Sequence, residues 1–129
     1  MVKRAFTLME ITVIVTVLVL LASIAAATHK SRVRNAKESV LKHNLAQIRL
    51  TLDAYNADRG HYPESLQTLV DEGYMRRLPE DPFTGSSDTW EVIYEEGLAD
   101  EDTSYIPGVF DVRSGSVDEA MDGTFYNEW

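Results

Sequence analysis

The chain has no cysteine among its 129 residues, so a disulfide framework and thiolate chemistry are both excluded. It also has no glycine-rich phosphate loop. Its three histidines, His29, His43 and His61, are scattered, and none has a serine or cysteine beside it in a recognisable nucleophile context. An enzyme is therefore the weakest functional class. Basic residues are scarce towards the end: from Asp88 to Trp129 there are twelve acids and a single base, Arg113. That stretch repels nucleic acid and anionic lipid, which argues against nucleic-acid and phosphate-binding roles. Helix breakers are missing from the first part, where no proline or glycine occurs up to Asp58.

What is present is a long apolar run, Phe6 to Thr28, with one ionisable residue, Glu10. As a helix these 23 residues reach about 35 Å at ~1.5 Å per residue, enough to cross a bilayer core of roughly 30 Å. Lys3 and Arg4 precede the run, and Lys30, Arg32 and Arg34 follow it. About 100 residues remain beyond it, room for one small domain. The net charge of −9 falls mostly on that part.

Three readings of the amino terminus compete. The first is a cleaved signal peptide, with Lys3 and Arg4 as its charged region and Ala25, Ala26 and Ala27 as a small-residue cleavage site. The second is a plain signal anchor. The third is a short leader cut between Ala5 and Phe6, which leaves the apolar run on the mature chain. Glu10 discriminates among them. A carboxylate inside hydrocarbon costs several kcal/mol unless it is paired or neutralised. A disposable signal has no use for one. A cut before Phe6 creates an ammonium four residues away, able to pair with Glu10 of the same chain or of a neighbour displaced along a bundle. Such a pair sets the stagger, because an unmatched buried charge is penalised.

The stretch Lys3-Arg4-Ala5-Phe6-Thr7-Leu8-Met9-Glu10-Ile11 resembles the class III leader junction of type IV pilins and pseudopilins. The resemblance implies that a prepilin peptidase cuts between Ala5 and Phe6 and N-methylates Phe6. It also implies that Glu10, then the fifth residue, guides assembly. Ala5 stands where the family usually has glycine. Ala27 stands where many pilins have a proline, so no proline kink is expected.

Beyond the run, Val33, Ala36, Val40, Leu41, Leu45, Ile48, Leu52 and Tyr55 recur at spacings of three and four, mostly. This predicts one apolar helical face, continuous with the first segment and packed on a small domain. Leu50 lies off the stripe and is expected to face a neighbouring subunit. Gly60 and Pro63 end the helix. Pro63 to Glu72 reads as a short second helix with Leu66, Leu69 and Val70 inward. Tyr74 to Asp88 reads as a proline-pinned loop and turn. Trp90 to Glu95 is expected as a strand with Trp90, Val92 and Tyr94 inward, Glu96 to Ser104 as an acidic loop, and Val109 to Arg113 as a second strand. Ser114 to Trp129 is expected as an extended loop anchored by Phe125, Tyr126 and Trp129.

Asp53-Ala54-Tyr55-Asn56-Ala57-Asp58-Arg59-Gly60-His61-Tyr62-Pro63, then Leu66, Leu69-Val70 and Asp81-Pro82-Phe83-Thr84-Gly85, is similar to the major pseudopilins, the G components of type II secretion systems. The resemblance implies an α+β, type IV pilin-like fold: a long helix, transmembrane then amphipathic, packed on a short helix and a small antiparallel sheet. It divides the chain into a leader (1–5), a membrane and assembly helix (6–28) and a periplasmic domain (29–129). It implies a single-pass inner-membrane subunit that assembles by helix stacking into a homopolymeric pseudopilus and drives protein export. The partners are prepilin peptidase, the assembly platform and minor pseudopilins, with no nucleic acid. It further implies calcium in the carboxy-terminal loop, with Asp118 and Asp122 as the matching carboxylates and carbonyls of residues 114–117 assisting. A metal-free loop stapled by aromatics is the competing reading there. A type IV pilus or competence pilin is the neighbouring functional alternative. A secreted or anchored binding protein with a cleaved signal is the alternative from another class.

Overall fold

The structure, a computed structural model, describes residues 5–96 and 106–129. The acidic loop expected over residues 96–104 therefore lies almost wholly outside the described residues. By packing, the chain divides into two bodies, Met1–Ala36 and Lys37–Trp129.

In the first body every described side chain is exposed. Its element is the start of α1 (Leu8–Arg59), a 52-residue helix. Thr7 opens it: its hydroxyl accepts the amide N–H of Glu10 at 3.2 Å and its carbonyl accepts that of Ile11 at 3.2 Å. Thr-x-x-Glu is the spacing of a helix-capping pair, so Glu10 stands in the first turn, where the helix dipole favours an acid. Within the apolar run the hydroxyls of Thr12, Thr16, Ser23 and Thr28 each donate to the carbonyl four residues back, at 2.7 to 2.9 Å. These polar groups therefore need no water, as a helix in hydrocarbon requires.

In the second body α1 buries Leu41, Leu45, Ile48, Leu52 and Tyr55. The alternating steps of four and three keep them on one face. Val33, Ala36 and Val40, expected on the same face, are exposed. Val33 and Ala36 belong to the first body. Val40 adjoins Leu41, and successive helical residues point about 100° apart, so only one of the two can centre on the core. Leu50 is 70% exposed, as its position off the stripe implies.

Gly60, at φ +78°, ends α1 in the left-handed region that glycine adopts without strain. Helix α2 (Leu66–Asp71) begins later than Pro63, because the Ser65 hydroxyl accepts the Thr68 amide and caps it. Leu66 and Leu69 are buried, and Val70 packs against the core from its edge. Strands β1 (Glu91–Tyr94) and β2 (Val109–Arg113) pair antiparallel from Glu91 opposite Arg113 to Tyr94 opposite Val109. The register shifts between Ile93 and Tyr94. That bulge ends the inward alternation, so Tyr94, expected inside, is 49% exposed. Trp90, just before β1, is buried as expected, and its indole N–H donates to the Pro79 carbonyl at 2.9 Å. Val109, Val112, Met75, Ala120 and Tyr126 complete the core.

One buried carboxylate joins the two irregular segments. Asp81 Oδ1 accepts the amide of Phe83 at 2.8 Å and, more weakly, that of Thr84 at 3.4 Å. Oδ2 accepts the hydroxyl of Ser114, which is also fully buried. The Asp-Pro-Phe-Thr-Gly turn is thereby bonded to the residue that follows β2. Gly115 lies against Thr89, where a Cβ would fall 2.0 Å from its carbonyl oxygen, so no larger residue fits. Asp81→Ala strands two amides and a hydroxyl without an acceptor. A loss of roughly 2–4 kcal/mol is expected, read by chemical denaturation of the full chain in detergent micelles. Asp81→Asn, which keeps one acceptor oxygen, is expected to lose less.

Candidate functional site

Two places carry the sequence-predicted residues. At the amino terminus, Ala5, Phe6 and Thr7 lie in no regular element, exposed, immediately before α1. Lys3 and Arg4 lie outside the described residues. A peptide bond outside a helix and open to solvent is one that a protease can bind in extended form. Phe6 is 70% exposed, and Glu10 is the sole acid between Phe6 and Thr28. The helix meets the length and composition test for a membrane span, and none of that stretch is buried inside the protein. The only charge on this apolar surface is therefore held at its starting end, beside the prospective cut.

The second place is the carboxy-terminal loop. Tyr126 is fully buried and stacks on Phe83, with ring centroids 3.9 Å apart, while Trp129 meets it edge-on at 5.1 Å. Phe125, expected as a third anchor, is 45% exposed. Its backbone is used instead: residue 125 bridges to Glu119, which closes the loop as a miniature hairpin. A 3-10 turn over Tyr126–Glu128 follows.

Asp118 and Asp122 both lie in this hairpin and are exposed. Asp122 Oδ1 accepts the amide of Thr124 at 3.0 Å and its hydroxyl at 2.6 Å. Those two bonds, with help from the charge of Lys42, hold its carboxyl below the usual carboxylate range. The Asp118 carbonyl accepts the Tyr126 amide at 3.1 Å, and the carbonyls of Ala120 and Thr124 are bonded within the loop. Calcium takes about six to eight oxygens. Among the described residues no group of three or more His, Asp or Glu side chains gathers to hold a metal. Side chains alone therefore fall short of a cation cage in this loop.

The flank of α1 beside the core stripe reaches this loop. Glu38 Oε1 accepts the Met121 amide and the Tyr126 hydroxyl, both at 2.9 Å. Arg49 donates to Asp111 at 2.7 Å and to the carbonyls of Val112 and Trp129, each at 2.9 Å. The Lys42 ammonium lies 4.4 Å from the centre of the Trp129 ring. Hydropathy patterning concerns apolar positions, so it passed over all three. Their one signal was position, next to Leu41, Leu45 and Ile48.

Comparison with known proteins decides the family. Over 97 residues the chain is 34% identical to the type II secretion system core protein G of Pseudomonas aeruginosa, an alignment covering 63% of this chain and 68% of that protein. It is 32% identical to the protein of that name from Klebsiella pneumoniae, with 69% of the relative covered. For the Escherichia coli protein the identity is 30% and the share covered 67%. This chain belongs to the type II secretion system core protein G family. No protein-family model and no solved structure matches it. The match bears out the resemblance to the G components read from Asp53 to Pro63, Leu66, Leu69-Val70 and Asp81 to Gly85. The long apolar helix, short helix and two-stranded antiparallel sheet form the α+β, pilin-like arrangement expected of a core protein G. The chain is a structural secretion pseudopilin and not an enzyme. Anchoring in a membrane fits both the family and the apolar helix.

Thr7→Ala removes the hydroxyl that caps α1. A local loss of about 1 kcal/mol is expected, seen as faster hydrogen exchange at the amides of Glu10 and Ile11 in micelles, with the core amides of residues 41–55 unchanged.

Proposed function

We propose that this core protein G is the repeating subunit of a periplasmic pseudopilus and that Glu10 sets its stagger. A prepilin peptidase cuts between Ala5 and Phe6 and methylates the new amine. Residues 6–28 stay in the inner membrane and residues 29–129 stand in the periplasm. The reading rests above all on the position of Glu10: a lone acid in the first turn of α1, whose apolar stretch as far as Thr28 carries no other charge and is exposed throughout.

The physics runs from desolvation to register. An acid in a span costs about 2.5–3.5 kcal/mol at mid-membrane and less near an end, so Glu10 is tolerable in the stored subunit. In a bundle of stacked helices that interface water is gone, and the carboxylate needs a cation. The ammonium of Phe6 on a neighbouring subunit supplies it only when the helices are offset so that the two meet. Every other stagger denies Glu10 that partner on the neighbouring subunit. Helix-to-helix contacts then replace lipid contacts, and the growing fibre pushes secreted protein outward. An assembly platform and minor pseudopilins start and extend it.

Mass spectrometry of the mature protein is expected to find N-methyl-Phe6 as the first residue. A chain starting at Thr28 would establish a cleaved signal, and an intact Met1 a plain anchor. Glu10→Ala is expected to be processed normally yet to form no filaments. Filaments at ordinary yield from that variant would refute the register role.

A further inference from the structure

The family resemblance implies calcium in the carboxy-terminal loop, while among the described residues no three acidic side chains gather there to hold it. We propose that side chains of α1 take the ion's place, with Lys42 as the resident cation and Glu38 as its anionic counterpart, so that this domain folds without calcium.

Glu38 and Lys42 are four residues apart on α1 and so share one face of the helix. Each grips a different part of the loop. A single oxygen of Glu38 ties the Met121 amide, at the loop's tip, to the hydroxyl of the buried Tyr126. Lys42 lies over the Trp129 ring, a cation–π contact that gains strength when water is displaced. Lys42, Arg49, Asp122, Thr124 and Trp129 line one groove of about 400 Å³ between α1 and the loop.

That arrangement holds the loop through contacts that need no metal ion. Asp122, the carboxylate a metal would use, already has Thr124 on one oxygen and the field of Lys42 around it. The chain end is fixed by Arg49 through the Trp129 carbonyl, and the Trp129 indole N–H donates to Thr124 at 2.7 Å. A dication entering this groove would face the charge of Lys42, while Arg49 is paired with Asp111. Repulsion from that ammonium works against a dication there.

The test uses the full chain in detergent micelles, melted with millimolar calcium and again with excess chelator, with tryptophan fluorescence as the probe. The wild-type midpoints are expected to coincide. Lys42→Met, which keeps the aliphatic stem and removes the charge, is expected to melt about 4 °C lower or more. Lys42→Arg, which keeps a cation over the ring, is expected to retain the wild-type midpoint. A calcium-dependent rise of several degrees in the wild type, abolished by the Asp118→Asn, Asp122→Asn pair, would overturn the proposal. So would a Lys42→Met chain as stable as the wild type. If Lys42→Met fails to fold, the wild-type comparison and Lys42→Arg still decide the matter.

Discussion

Solvation of the first half of α1 constrains everything else in this protein. A helix whose exposed surface is almost wholly apolar cannot remain in water, and one whose polar groups lack partners cannot remain in lipid. The stretch from Phe6 to Thr28 meets the second condition at Thr12, Thr16, Ser23 and Thr28, whose hydroxyls each return a proton to a carbonyl one turn back. The Glu10 carboxylate is not answered in that way. The Thr7 cap accounts for its backbone N–H and the helix dipole eases its charge. Its carboxylate is left as the one group on that surface with an electrostatic claim on something outside the helix. In the assembly proposed above, that carboxylate makes the helix's most specific contact.

The second body solves a different problem. A small domain buries too little apolar surface to hold long irregular segments by hydrophobicity alone. This one ties them with charged and polar groups placed at the edge of the core. Asp81 organises the proline-flanked turn and binds it to Ser114. Arg49 joins β2 to the end of the chain. Glu38 and Lys42 reach the terminal hairpin. Each of these acts at a sequence separation of more than thirty residues, so each closes a long loop. Bonds to charged groups are among the stronger individual contributions to stability, about 1.5–3 kcal/mol each when well formed.

How far the amino-acid sequence could be read follows from the range of the forces involved. Local signals came through. The absence of proline and glycine up to Asp58 implied a long helix, and α1 runs from Leu8 to Arg59. Gly60 marked the end of the long helix, and it takes positive φ. Val109 to Arg113 is a strand at the expected bounds. The errors sit where a neighbour in space overrides a neighbour in sequence. Tyr94 turns outward because of a bulge in its pairing with β2. Val40 yields the core face to Leu41. Phe125 is displaced to the surface because Tyr126, one residue on, takes the place against Phe83.

Residue order alone determined the apolar length from Phe6 to Thr28, the single acid within it, the basic flanks and the breaker-free helix, since each depends on composition and spacing along one chain. The tertiary structure decided which polar side chains became ties. Nothing in the order of residues indicates that Glu38, Lys42 and Arg49 meet a segment some eighty residues away, or that Asp81 is buried against Ser114. Those pairings exist because the helix face that buries Leu41, Leu45 and Ile48 brings its flank, at the same stroke, against the end of the chain.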